Sequence, residues 1–312
     1  MKLRTDPVIA NNMLDLIGNT PLVKINKLNP NTNTDVYAKL EMFNPASSIK
    51  DRVALSMIEH AEKGGLLTPR VSTIIEATSG NTGIGLAMVA AIKGYRCIVV
   101  MSDSMSVERR KAVEAFGAEV VLTPGIQGFQ KVVEKTNELL KEIEFSWSPM
   151  QFNNEMNPYI HYETTGKEIF NATGGDIDIL VCGLGTGGTI SGISKYLKEK
   201  IPNIKVIAVE PSNCALLSGG SPGLHKIQGL NAGFIAETTD LDLIDDSFVV
   251  TDEEAIEMTR KLAKVEGIFV GISSGAAAYA AINIAKTTYN KKIVTVFPDS
   301  GERYLSTDVW KL

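Results

Sequence analysis

The chain has 312 residues, enough for two lobes and a large core, and its 31 Lys and Arg against 36 Asp and Glu leave a net charge of −5. With no basic run and no apolar stretch of membrane-spanning length, neither nucleic acid nor a membrane is expected as a partner. Residues 1–7 lack the apolar core of a signal peptide, so a cytoplasmic location is expected.

Read in chain order, the pattern predicts a strand over 36–40, a helix over 49–62, a strand over 73–76 and a helix over 82–93. It continues with a strand over 97–101, a helix over 107–116, a strand over 120–123 and helices over 129–143 and 159–170. A strand over 177–181, a helix over 188–198 and strands over 206–209 and 248–251 follow. Helices over 252–265 and 275–285 and a strand over 293–297 complete the reading. Continuous apolar strands separated by helices predict an α/β, doubly wound fold with mainly parallel sheets. Cys97, Cys182 and Cys214 are widely spaced, which fits neither a disulfide framework nor a metal site.

Three segments carry chemistry. In Asn44-Pro45-Ala46-Ser47-Ser48-Ile49-Lys50-Asp51-Arg52 a lysine follows small residues and opens an amphipathic helix, where burial and the helix N-terminus both disfavour its charge. In Thr78-Ser79-Gly80-Asn81-Thr82-Gly83, hydroxyls, an amide and freed backbone N–H groups sit on a strand-to-helix turn that suits a carboxylate. Gly183-Leu184-Gly185-Thr186-Gly187-Gly188-Thr189 follows an apolar strand and opens a helix, where a phosphate is favoured. A reactive amine beside a carboxylate receptor suggests pyridoxal phosphate chemistry. The glycine loop also satisfies the dinucleotide pattern, with Glu210 about twenty residues on as a ribose-binding acid. That reading, an NAD-dependent oxidoreductase, leaves the Lys50 and Asn81 segments unexplained and offers no hydride partner among His60, His161 and His225.

Seven segments, in order and nearly end to end, resemble one family. They are Ile17-Gly18-Asn19-Thr20-Pro21-Leu22, residues 48–52, residues 78–83, Met105-Ser106-Val107-Glu108-Arg109-Arg110, Lys226-Ile227-Gln228-Gly229, Gly271-Ile272-Ser273-Ser274-Gly275 and Pro298-Asp299-Ser300-Gly301-Glu302-Arg303-Tyr304. The family is that of cysteine synthase (O-acetylserine sulfhydrylase), fold-type II pyridoxal phosphate enzymes of the β-replacement group. The resemblance implies a smaller lobe, 44–153, with the lysine and the carboxylate turn, and a larger lobe, 1–43 plus 154–312, with the phosphate loop. The active site would lie in the crevice between them.

By the same resemblance Lys50 would form the Schiff base with pyridoxal 5'-phosphate and later take the Cα proton. Gly185, Thr186, Gly187, Gly188 and Thr189 would hold the phosphate and Asn81 the ring oxygen. Thr78, Ser79, Thr82 and Gln151 would hold the substrate carboxylate. Ser273 would face the pyridine nitrogen without supplying a charge, which suits loss of a Cβ leaving group through an α-aminoacrylate rather than transamination. The implied reaction is O-acetyl-L-serine plus sulfide giving L-cysteine. The close alternative consumes L-cysteine, releasing hydrogen sulfide and forming L-serine, lanthionine or cystathionine. A catalytically silent binding module is the reading from a different class. A homodimer is implied; a serine acetyltransferase partner, found for some relatives, has no residue here that signals it.

Three positions depart from the family. Ala46-Ser47 replaces a glycine pair and Ala77 a frequent proline, both without consequence for the chemistry. Asn231, in Gly229-Leu230-Asn231-Ala232-Gly233-Phe234, stands where glycine is usual in a loop lining the substrate side. It would either hydrogen-bond the leaving group or nucleophile, or simply replace glycine at a positive-φ turn.

Overall fold

A computed structural model describes residues 9–78 and 80–311. In chain order the elements are β1 (Leu22–Lys24), β2 (Asp35–Leu40), α1 (Lys50–Lys63), β3 (Thr73–Ala77), α2 (Asn81–Lys93), β4 (Arg96–Ser102), α3 (Val107–Ala115), β5 (Glu119–Thr123), α4 (Gly128–Glu142) and β6 (Ser146–Trp147). Then come α5 (Met156–Ile160), a π-turn (His161–Gly166), α6 (Lys167–Thr173), β7 (Ile179–Gly183), α7 (Gly188–Lys200), β8 (Lys205–Pro211) and β9 (Asp246–Val250). The chain ends with α8 (Asp252–Lys261), a second π-turn (Leu262–Glu266), α9 (Ile272–Thr287) and β10 (Lys292–Phe297).

The strands form two sheets. One has the order β1-β2-β10-β7-β8-β9, the other β5-β4-β3-β6. Every pairing is parallel except β1 against β2. The apolar runs explain why. In β10, Ile293, Val294, Val296 and Phe297 are all buried, on both sides of the strand, which only a sheet covered on both faces allows. One sheet draws its strands from residues 73–147 and the other from 22–40 and 179–297. The expected doubly wound α/β class is therefore the observed one, and no helix among the described residues is long and apolar enough to cross a membrane.

The departures from expectation are local. β1 and β6 are too short to show any period in sequence. The single helix expected over 159–170 begins earlier, at Met156, with Pro158 in its first turn, where a missing N–H costs nothing. It then widens into the π-turn at His161, which is buried completely, as is Thr165 in the same turn. The helix expected from 275 starts at Ile272, with Gly271 as its cap. All three cysteines are free and buried.

Candidate active site

The turns that open α1, α2 and α7 converge on one cavity of about 340 Å³, with walls that include Lys50, Thr78, Asn81, Thr82, Gln151, Gly185, Thr186, Gly229 and Asn231. Nine residues singled out in the sequence thus meet in space. Gly187, Gly188, Thr189 and Ser273 do not line it, and Ser79 lies outside the described residues.

Lys50 is the first residue of α1, and the segment before it is folded by Asp51, whose Oδ2 accepts from the Ala46 N–H at 2.6 Å. Among the described residues no carboxylate forms an ion pair with Lys50 Nζ. Burial pushes the amine down to about 8 and the Asp51 carboxyl up to about 7. An amine of that pKa is neutral in part near physiological pH, far more than an ordinary lysine, and its neutral form is a nucleophile and a base.

On the facing wall the Thr82 hydroxyl donates to Gln151 Oε1 at 2.5 Å. That bond fixes the amide, leaving the Gln151 NH₂ to donate elsewhere. Gln151 itself is held from below by Glu76, which is buried and accepts from Ser148 Oγ at 2.9 Å and from the Met150 and Gln151 N–H groups at 3.1 Å each. Burial raises Glu76 to about 7 despite these donors. Because its folded pKa lies above the ordinary 4.5, its contribution to stability is complete below about 4.5 and is lost as the pH rises through about 7. A Glu76→Gln variant should lack that fall, and urea unfolding measured at several pH values in this window checks it; parallel pH profiles for both proteins would contradict the assignment.

The glycine loop runs from β7 to α7. Gly187 turns the chain at φ +79°, and a Cβ on Gly185 would stand 2.3 Å from the Gly229 carbonyl oxygen, so the two loops touch backbone to backbone. Asn81 lines the cavity, but its amide is held at both ends. Nδ2 donates to Asp299 Oδ2 at 2.7 Å, and Oδ1 accepts from Arg303. Tyr304 also donates to Asp299 Oδ2, at 2.8 Å, and among the described residues the buried Asp299 Oδ1 has no partner.

Several wall residues were not read as functional from sequence: Arg109, Phe129, Phe152, His225 and Gln228. Arg109 lies over the Tyr304 ring at 4.9 Å, donates to its hydroxyl at 3.0 Å and bonds Gln228. Arg109, Gln228 and Tyr304 all stand in segments that carried the resemblance. Their spacing in the chain gives no sign that they meet.

Two expectations need correction. Glu210 is not free to hold a ribose: it is fully buried and accepts from the Leu217 and Ser218 N–H groups, the Ser218 hydroxyl and Asn231 Nδ2. Asn231 is neither a substrate donor nor a positive-φ residue. Its two amide hydrogens go to Glu210 Oε1 at 3.1 Å and the Cys214 carbonyl at 2.6 Å, and its φ is not among the positive values. The buried carboxylate captured the amide. Asn231→Gly should therefore cost about 1–3 kcal/mol, by leaving the buried Cys214 carbonyl without this donor and Glu210 Oε1 with the Leu217 N–H alone. Asn231→Asp should cost more, by setting a second carboxylate against Glu210. Chemical unfolding in the order unmutated, Gly, Asp is the expected result; equal stabilities would show the contact to be inert.

Comparison with known proteins follows the same lines. The family model described as pyridoxal-phosphate dependent enzyme matches residues 13–299. A cysteine synthase of Staphylococcus aureus is 49% identical over 303 residues, covering 96% of this chain and 97% of the relative. A solved hydrogen sulfide-producing enzyme from Fusobacterium nucleatum is 50% identical with a TM-score of 0.92, covering 95% of this chain and all of that one (100%). A cysteine synthase structure from Entamoeba histolytica is 40% identical with a TM-score of 0.94, covering 100% of this chain and 93% of that one. With a free, partly buried lysine, a carboxylate receptor and a glycine loop around one cavity, and with these likenesses over nearly its whole length, the chain is an enzyme of the pyridoxal-phosphate dependent family.

Proposed function

We propose that this enzyme performs β-replacement on an activated L-serine, most simply O-acetyl-L-serine with sulfide, giving L-cysteine. The observation that carries the reading is the unpaired Lys50 amine in the same cavity as Thr78, Thr82, Gln151 and Thr186. The residues present fit pyridoxal phosphate. A buried amine without a counter-ion awaits an aldehyde, and a glycine loop packed too tightly for side chains awaits a phosphate. Lys50 would hold the cofactor covalently, Gly185, Thr186, Gly187, Gly188 and Thr189 its phosphate, and Asn81 its ring oxygen.

Bound there, the cofactor supplies an electron sink for bonds at Cα and Cβ of an amino acid. Lys50 Nζ, neutral in part near pH 8, takes the proton from Cα. The free NH₂ of Gln151, together with Thr78, Ser79 and the backbone N–H of Thr82, whose hydroxyl hydrogen is already given to Gln151, would orient the substrate carboxylate. Ser273 is buried at the second position of α9; in this reading it would offer the ring nitrogen a hydroxyl rather than a charge, which favours expulsion of a leaving group over transamination. The lobes 44–153 and 1–43 plus 154–312 belong to the same reading, supported by the residues each sheet draws on. So does a homodimer.

The likeness to a hydrogen sulfide-producing enzyme favours a second reading, in which L-cysteine is the donor and hydrogen sulfide leaves. Incubation with O-acetylserine plus sulfide, and separately with cysteine alone, separates the two by the amino acids formed. Cysteine from the first mixture and little product from the second is expected. Serine or lanthionine from cysteine alone, at a rate exceeding cysteine formation, would overturn the leading reading, and absence of a borohydride-sensitive visible absorbance would overturn both.

A further inference from the structure

Behind the glycine loop, on the side away from the cavity, α5 and its π-turn press against the first turns of α7. Asn157 and His161 lie one turn apart there and are both fully buried. Their polar atoms reach the loop's two threonines. Asn157 Nδ2 lies 2.9 Å from Thr186 Oγ1 and 2.9 Å from the Gln151 carbonyl oxygen. His161 Nε2 lies 3.2 Å from Thr189 Oγ1, and its Nδ1 lies 2.9 Å from Thr165 Oγ1. A Cβ on Gly188 would collide with Asn157 Oδ1 and one on Gly192 with the Pro158 carbonyl, so the two segments meet without room for side chains between them.

The proton directions follow from elementary hydrogen bonding. A backbone carbonyl can only accept, so the Asn157 atom facing Gln151 is the NH₂, and that NH₂ can only donate to Thr186. Thr186 Oγ1 is therefore used as an acceptor from behind, and its own hydrogen is free to point into the cavity that Thr186 lines. For Thr189 the same outcome requires that His161 carry its proton on Nε2, with Nδ1 accepting from the Thr165 hydroxyl. His161 is neutral: burial foremost, then the Lys50 charge, holds it well below its ordinary value.

We propose that Asn157 and His161 are positioning residues that make both threonine hydroxyls donors toward the anion, a clamp behind the loop that orients protons rather than touching the ligand. The proposal rests on the cofactor reading above, with the phosphate of pyridoxal phosphate as the anion. It assigns to the turn at 157–161 a role that neither its sequence nor the pocket wall reveals, and it gives the π-turn a purpose, since the widened turn buries His161 beside Thr189.

The test uses the enzyme stripped of cofactor and titrated with pyridoxal phosphate, with phosphorus NMR of the bound cofactor as a second readout. Asn157→Asp is nearly isosteric but turns the donor into an acceptor, so Thr186 must direct its proton backwards. His161→Phe removes the donor to Thr189, and His161→Gln restores one. Asn157→Asp and His161→Phe should each weaken cofactor binding roughly 10- to 100-fold, the range for losing one hydrogen bond to a charged group, and shift the phosphorus resonance. His161→Gln should recover most of the loss. Nitrogen NMR of the unmutated enzyme should show His161 protonated on Nε2, a readout that does not depend on any variant folding. Protonation on Nδ1, or unchanged affinity and phosphorus resonance in both disruptive variants, overturns the clamp. Failure of the unmutated chain to bind pyridoxal phosphate overturns the cofactor reading itself, an outcome separable from a clamp that fails while binding persists.

Discussion

Replacing Lys50 with alanine should reduce turnover by roughly 10⁴-fold or more while leaving the fold intact, because one side chain is both the covalent anchor and the Cα base. The structure adds a stability signature to this expectation. The amine has a folded pKa of about 8 against an ordinary 10.5, with burial as the first cause. A lysine depressed in this way is unfavourable to folding while both states are charged, below about 8, and the burden is relieved as the pH rises from about 8 to the unfolded value. The cofactor-free enzyme should thus gain stability across that interval, and Lys50→Ala should be no less stable below pH 8 and should lack the gain. Kinetics with O-acetylserine and sulfide, paired with urea unfolding at pH 7 and pH 10, check both halves. Substantial residual turnover, or a variant that unfolds on its own at neutral pH, would remove Lys50 from its assigned place.

How much of this was legible in the sequence differs from element to element. The central strands were, because β3, β4, β7, β8 and β10 are buried on both faces and so write themselves as unbroken apolar runs. The three chemical segments were legible because each is local: a short loop that opens a helix needs small residues and hydroxyls at neighbouring positions. What was hidden depends on pairs far apart in the chain. Arg109 with Tyr304, and Asn81 with Asp299 and Arg303, are contacts across roughly two hundred residues, and no local pattern announces them. Asn231 shows the opposite failure. It lines the cavity, but the direction of its amide is decided by Glu210, whose own burial could not be inferred from its place at a strand end.

Arg52→Ala should be the most destabilising single change outside the apolar cores. Arg52 lies two residues past Lys50 on α1 and is 1% exposed, yet it makes five side-chain hydrogen bonds. Two go to Glu41 at 2.8 and 2.9 Å, two to Glu168 at 2.6 and 2.7 Å and one to Thr20 at 3.3 Å. Lys39 joins the set through Glu168 at 2.6 Å, so two cations face two carboxylates, and α1 is tied to the end of β2 and to α6. Burial would raise both carboxyls, but Arg52 and Lys39 outweigh it, leaving Glu41 lowered and Glu168 at about 2. Removing the guanidinium strands Glu41, which is fully buried, with only Thr20 and Asn44 as donors. Such a loss costs about 3–5 kcal/mol, and with an unfolding entropy of about 2.1 cal/mol/K per residue a fall of roughly 5–8 °C in the thermal midpoint follows. The pH dependence gives an independent reading. Depressed carboxylates stabilise above their unfolded value near 4.5, and that stabilisation disappears as the pH falls toward about 2. The unmutated enzyme should therefore lose the network's contribution in acid, whereas Arg52→Ala should show a shallower acid limb because it has already lost it. Arg52→Lys keeps the charge but cannot fork to two carboxylates, and should fall between the two. Calorimetric scans from pH 3 to 8 on the three proteins decide the matter: an Arg52→Ala midpoint within a degree or two of the unmutated one would mean that desolvation cancels the ion pairs, and that α1 is held in place by its apolar face alone.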